Sequence, residues 1–157
     1  MAAGAAGMKP AARSRSSAYI IGDASDEQAY HLLLAHSFEP AHYIVHQHVV
    51  DAYAAQTADE NTKPITLVFA LAGLYLHFEK GMTGPEAQQA HIRMARARKD
   101  WPRLPLVKDR GTMTASDVIQ YASGPERDAA IKQWAKSVWE AWRDHHARVA
   151  DLVDALI

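Results

Sequence analysis

The chain has 157 residues, a formal net charge of −1 at pH 7 and 48% hydrophobic residues, values typical of a single globular domain. The near-zero charge argues against non-specific binding to nucleic acid or to anionic membranes. There is no cysteine, which excludes disulfides, thiolate catalysis and cysteine-ligated zinc, so a transition metal would need His, Asp or Glu ligands.

The N-terminal residues 1–18 predict a disordered leader. They are rich in Ala, Gly and Ser and lack the leucine-rich segment of a signal peptide. The longest apolar run, residues 65–78, is interrupted by Thr66 and His77 and is shorter than the roughly 20 residues that a membrane span requires. We therefore expect a cytoplasmic protein in which residues 19–157 form one domain.

Three helices are predicted in the first half of the domain. The first runs through EQAYHLLLAHSF, with Ser25 or Asp26 as its N-cap, and Pro40 ends it. The second covers residues 41–57. The third covers residues 65–80 and is apolar almost all round, which indicates a central position in the fold.

The second half predicts three more helices. TGPEAQQAHIRMARARKD reads as the fourth, and TASDVIQYA as a short fifth helix with Thr114 as a candidate N-cap. Residues 126–156 predict one long final helix, because two series of residues recur every seven positions, as in a bundle seam. No strand-like alternation stands out. The fold class is therefore predicted as all-α, a compact bundle of about five to six helices.

Polar residues concentrate in the second helix, in HYIVHQHVVDAYAAQ. At about 100° per residue, His42, His46 and Gln56 fall within its apolar arc, whereas His48 and Asp51 fall on the flank between core and solvent. His42 and His46 are one turn apart, a spacing that metal-binding helices use. His46 is the stronger candidate, because a histidine within an apolar arc needs a partner.

Other helices also place polar or aromatic candidates toward the core. His145 lies on the seam of the last helix, with His146 beside it, and inward polar residues on facing helices are how bundles make ligand sites. Glu79 is equally consistent with an arginine partner and with a ligand. Trp139 and Trp142 favour core packing, with a ligand-stacking wall as the alternative.

In chain order, five segments resemble an uncharacterised bacterial family defined only as a domain of unknown function: YIIGDAS, VHQHVVDAYAAQ, LAGLYLHFEKG, TASDV and WAKSVWEAWRDHH. The resemblance covers roughly residues 19–150. It implies that the site lies within the helical domain, but it does not indicate which activity the site has. The residues that it carries over are His46, Asp51, Tyr53, Gln56, Glu79, Trp139, Trp142 and His146, with His145 beside it.

The chain also departs from the family pattern. Family members typically begin with a cysteine-rich, zinc-ribbon-like segment, and this chain has no cysteine. The family often has histidines where Ala70 and Thr57 stand here. A histidine-based metal site would therefore lack one ligand in this chain, unless His42 or His77 supplies it.

Two functional hypotheses follow. The first is a non-catalytic helical bundle that contains a buried polar network and binds a small ligand or a partner. That network would comprise His46, Asp51, Tyr53 and Gln56. The alternative is an enzyme that depends on a divalent transition metal such as zinc. Its candidate ligands are His46, His146, His145 and His42. A small molecule and a second copy of the chain are the expected partners, and neither nucleic acid nor a membrane is expected.

Overall fold

The computed structural model describes the backbone of residues 11–157 and the side chains from residue 25 onward. Within this part of the chain it contains helices and no strand, which confirms the all-α prediction. Residues 11–157 form seven α-helices: α1 (Ala11–Phe38), α2 (His46–Thr57), α3 (Pro64–Phe78), α4 (Gly84–Ala97), α5 (Ala115–Val118), α6 (Pro125–Ala141) and α7 (His146–Asp154). Two 3₁₀ turns, Pro40–Val45 and Arg143–His145, precede α2 and α7.

The first helix is longer than predicted. It begins at Ala11, upstream of the N-caps predicted at Ser25 or Asp26. The segment 11–18 contains several Ala and Arg residues, which favour helix formation. Residues 1–10, in the predicted leader, lie outside the described residues.

Two helices begin with reciprocal capping boxes. At α4, Thr83 accepts a hydrogen bond from the Glu86 amide, and the Glu86 carboxylate accepts one from the Thr83 amide. Thr114 and Asp117 make the same pair of bonds at α5, which confirms the predicted N-cap. Each cap satisfies backbone donors that a helix start leaves free, and so fixes where the preceding loop ends.

α3 is the central helix, as its apolar sequence predicts. Its residues are buried without interruption from Ala70 to Leu76. It packs against α2, α4, α6 and α7. Trp139 and Trp142 are buried, at 3% and 0% exposure, as the core-packing interpretation predicts, and Trp134 is buried with them.

The prediction of one continuous helix over residues 126–156 is wrong, because the helix is interrupted between α6 and α7. Trp142 has φ −92° and ψ 20°, and its amide donates to the carbonyls of both Val138 and Trp139. The Trp139 carbonyl also lies 2.7 Å from Nε2 of His146. The Trp139 carbonyl therefore has two partners where the helix ends, the Trp142 amide and the His146 ring nitrogen. The split raises the helix count to seven.

No helix among the described residues is both long enough and apolar enough to cross a membrane.

Candidate functional site

The most compact group of metal-ligating side chains in the described residues comprises His36, His42 and Asp128. His36 lies near the end of α1, His42 in the 3₁₀ turn, and Asp128 in the first turn of α6. One ligand atom from each residue lies within 4.8 Å of the other two. Because Asp128 is 92 positions from His36, only tertiary packing brings them together.

The Asp128 carboxylate faces two imidazoles at once. Nε2 of His36 lies 2.7 Å from Oδ1, and Nδ1 of His42 lies 2.6 Å from Oδ2. The two rings stack with their centroids 4.1 Å apart. The His36 side chain is 3% exposed, while His42 and Asp128 are 14% and 19% exposed. The group is therefore closed on the His36 side and open at the other two residues.

The local sequence explains how His42 reaches His36. Glu39 is extended, with φ −66° and ψ 137°, and Pro40 follows it. Proline favours an extended residue before it and cannot continue the α1 hydrogen-bond pattern. The Glu39 amide donates to the His36 carbonyl and the His42 amide donates to the Glu39 carbonyl, so the chain folds back on the end of α1.

The start of α6 places the carboxylate. Gly124 precedes the helix with φ +110°, a conformation that favours glycine, and Pro125 occupies the first helical turn. A carboxylate in the first turn, such as that of Asp128, is stabilised by the helix dipole. Asp128 is thus held in position by its own helix as well as by the two histidines.

Two chemistries fit this geometry. If both facing ring nitrogens carry hydrogen, Asp128 accepts two hydrogen bonds. If they present lone pairs, the three side chains form a donor set that zinc-class ions use. Donors at about 2.0–2.1 Å from a tetrahedral ion stand roughly 3.3 Å apart. The two N···O separations, 2.7 and 2.6 Å, would then open by about 0.6–0.7 Å, and all three ligand atoms already lie within 4.8 Å of one another.

His46 and His48 lie opposite to the orientation predicted for them. His46, predicted inward, is partly exposed, and its Nδ1 lies 2.9 Å from the Ser37 hydroxyl. Burial still lowers its pKa. His48, predicted on the flank, is only 4% exposed. The predicted orientation is wrong because it counted Val50 and Tyr53 as part of the buried face. The buried residues of α2 are His48, Val49, Asp51, Ala52 and Ala55, whereas Val50 and Tyr53 are only partly buried.

Of the four predicted metal ligands, only His42 belongs to the group at Asp128. Nε2 of His145 lies 2.7 Å from the Pro105 carbonyl. The His146 ring stacks on Trp139 with a centroid distance of 3.6 Å. His145 and His146 therefore contact backbone carbonyls and an indole ring close to the break between α6 and α7.

Asp51 is buried in a space that a glycine provides. Its side chain accepts a hydrogen bond of 2.9 Å from Nε2 of Gln47. On the facing helix α3, a Cβ atom at Gly73 would lie 1.8 Å from Oδ2 of Asp51. Burial raises the pKa of Asp51 well above its usual range. The carboxyl group is therefore neutral over a wider pH range than an exposed aspartate.

Gln56 makes three hydrogen bonds that fasten a loop to the bundle. Its amide donates to the carbonyls of Arg110 at 3.0 Å and Met113 at 2.6 Å. Its carbonyl accepts from the indole of Trp134 at 2.9 Å. These contacts connect α2, α6 and the loop before α5.

Tyr53 stacks on Tyr30 of α1 with a centroid distance of 3.9 Å and an interplanar angle of 5°. Tyr53 and Gln56 both line a cleft of about 470 Å³. The other lining residues are Asp26, Glu27, Thr57, Arg110, Gly111, Thr114 and Ala115. Two of the predicted site residues thus share a cleft that neither Asp51 nor His46 lines.

Glu79 follows the last residue of α3, and its Oε1 accepts a 3.0 Å hydrogen bond from the indole of Trp139. This indole, not an arginine, is the side-chain partner that the described structure gives it. The contact ties the end of α3 to α6.

Sequence reasoning missed His36 and Asp128. A signal for His36 was present, because Ala29, Leu33 and His36 recur at helical spacing on one face, and all three are buried. Asp128 carries no such signal, since an acidic residue in a first helical turn is ordinary.

The model of a family of unknown function (DUF5946) matches residues 21–143. Neither a curated protein nor a solved structure matches the chain. The matched range contains His36, His42 and Asp128, whereas His145 and His146 lie beyond it.

Proposed function

Because the chain belongs to DUF5946, a family of unknown function, we propose a function from its geometry: it binds one divalent transition-metal ion through His36, His42 and Asp128. One observation carries this proposal. Two imidazoles and a carboxylate from three separate segments converge with their ligand atoms within 4.8 Å of one another. The proposal keeps the metal hypothesis of the sequence but retains only His42 of its four candidate ligands, and adds His36 and Asp128.

The donor set favours a zinc-class ion. Imidazole suits zinc, copper, nickel and iron, and a single carboxylate is a common companion ligand. Three protein ligands leave a fourth tetrahedral position for water, the arrangement found in catalytic zinc sites. The partial exposure of His42 and Asp128 gives ion and water a route to that position. An ion held in this way can activate a bound water or polarise a carbonyl oxygen.

The test is metal binding by protein purified without a histidine tag and stripped with a chelator. Cobalt(II) serves as the spectroscopic probe, and zinc binding is measured by calorimetry. His42→Gln and Asp128→Asn are each expected to lose one bound ion per chain. Binding should also weaken as pH falls, because the ligand imidazoles must be unprotonated.

The matched control is His31→Gln. His31 is exposed on α1, and its side chain lies 3.8 Å from Glu27. This variant should bind the same number of ions as the wild type. Unchanged binding by both His42→Gln and Asp128→Asn would refute the proposal.

A small polar ligand in the cleft at Tyr53 is the second candidate function. The volume of about 470 Å³ lies within the range of about 300–1,000 Å³ that is usual for small-molecule sites. Tyr53, stacked on Tyr30, offers one aromatic wall, and Glu27 and Thr57 supply polar groups. A ligand from a metabolite screen should raise the melting temperature of the wild type and not that of Tyr53→Leu. An equal rise in both proteins would count against this cleft.

A further inference from the structure

His48 is a buried histidine whose hydrogen-bonding groups are not satisfied. It lies in the first turn of α2 and is 4% exposed. Neither of its ring nitrogens has a hydrogen-bond partner among the described residues. Buried polar groups in native proteins nearly always have a partner, so an exception needs an explanation. The unprotonated nitrogen of a neutral imidazole, when it accepts no hydrogen bond, is available to bind a metal ion.

His77, on the facing helix α3, presents a second available nitrogen. The two imidazole rings lie 3.8 Å apart between centroids and meet edge to face at 75°. Nδ1 of His77 lies 3.0 Å from the Met82 carbonyl. A carbonyl only accepts, so Nδ1 is the donor, and Nε2 carries a lone pair when the ring is neutral. Metal-binding histidines are commonly oriented in this way, with the other ring nitrogen donating to a carbonyl.

Both histidines line a cavity of about 10 Å³, which is the size of one water molecule or one small ion. The carboxyl group of Asp51 reaches the same cavity beside Gly73, at the place that a side chain at position 73 would fill. Polar groups from two packed helices therefore converge on one small, partly open space. Its polar lining residues are Gln47, His48, Asp51, His77 and Thr83.

We propose that this cavity is a second site for a zinc-class ion, with His48, His77 and Asp51 as ligands. It is separate from the group at Asp128 and does not depend on the function proposed for that group. The ligand atoms of these three residues do not all lie within 4.8 Å of one another, so an ion requires the side chains to rotate toward the cavity. An ion bound here would join α2 to α3 and so stabilise the packing of the two helices.

The experiment uses the full chain with Asp128→Asn as the background, which removes the first site. Chelator-stripped Asp128→Asn is expected to bind one zinc or cobalt(II) ion per chain, and zinc should raise its melting temperature. Adding His77→Gln should abolish both the bound ion and the rise. The single variant His77→Gln should still bind one ion at Asp128. Loss of that ion would count against the first proposal, whereas an ion that remains in Asp128→Asn with His77→Gln would count against the second.

Two controls test whether a variant loses the ion only because it fails to fold. Circular dichroism of the metal-free variants establishes that they are helical, and His48→Gln provides a second route to removing the same ion. His91→Gln is the matched control, because Nε2 of this partly buried histidine also has no partner among the described residues. It should leave zinc binding unchanged. If Asp128→Asn binds no ion, or if His77→Gln in that background keeps it, the cavity holds only water and the proposal is overturned.

Discussion

At the scale of single residues, Gly73 and Asp51 depend on each other. Glycine in a helix interior usually lowers stability by about 0.5–1 kcal/mol relative to alanine. Here the missing side chain admits a carboxyl group, since a Cβ atom would lie 1.8 Å from its oxygen. The glycine thus creates the space in which Asp51 meets the amide of Gln47.

Gly73→Ala is therefore expected to destabilise the protein by about 1–3 kcal/mol through overpacking, the opposite of the usual gain. Urea unfolding of metal-free protein measures the change. Asp51→Ala should relieve the clash, so the double variant should lose less than the sum of the two single losses. Gly84→Ala is the control, because a Cβ atom there makes only ordinary contacts at 3.5 Å or more. A stabilising effect of Gly73→Ala would contradict the packing described here.

His48 gives the second prediction, for protein kept free of metal. Burial and, secondarily, the nearby positive charges of His77 and Lys132 lower its pKa from 6.5 to about 3. Between these values the unfolded chain binds the proton and the folded chain does not. Stability should therefore fall as pH drops below about 6.5, by up to about 1.4 kcal/mol per pH unit.

His48→Gln removes this titration. Urea unfolding at pH 7 and at pH 5.5 should give a smaller loss of stability for the variant than for the wild type. Asp51 works in the opposite direction, because its raised pKa lowers the stability of the folded state as pH rises. Equal losses for His48→Gln and wild type would show that His48 is not kept neutral by burial.

At the scale of elements, the Arg110 side chain caps the C-terminal end of α2. Nη1 of its guanidinium donates to the carbonyls of Ala55, Gln56 and Ala58, at 3.3, 3.1 and 2.8 Å. The guanidinium carbon Cζ of Arg110 also lies over the Trp142 ring, 5.2 Å from the ring centroid. The last carbonyls of a helix have no partner within the helix, so this side chain substitutes for one.

Arg110→Lys is expected to lower the free energy of unfolding by about 1–3 kcal/mol, because an ammonium group does not reproduce the planar fork of donors. Arg103→Lys is the matched control. Arg103 also donates to loop carbonyls, those of Glu60 and Thr62, but at 3.4 and 3.3 Å and with an exposed side chain. Thermal unfolding of both variants compares them, and an equal loss would rule out a special role for Arg110.

At the scale of the whole molecule, the fold was more predictable than the site. Apolar periodicity and capping residues such as Thr114 are local signals, and they predicted the all-α class and the central position of α3 correctly. The orientation of His46 and His48 was not predictable from the apolar pattern, because the buried face of α2 contains Asp51 and small alanines, while Val50 and Tyr53 are only partly buried. Asp128 could not be paired with His36 by any local pattern, since 92 positions separate them.

That separation also affects the order of folding. The entropic cost of closing a loop grows only slowly with its length, but it must be met before the contact contributes. The contacts of Asp128 with His36 and His42 are therefore entropically costly to form before the intervening helices pack. Contacts that form after the transition state slow unfolding and leave the folding rate nearly unchanged. If the contacts at Asp128 form that late, an ion there prolongs the lifetime of the native state and does not hasten its formation.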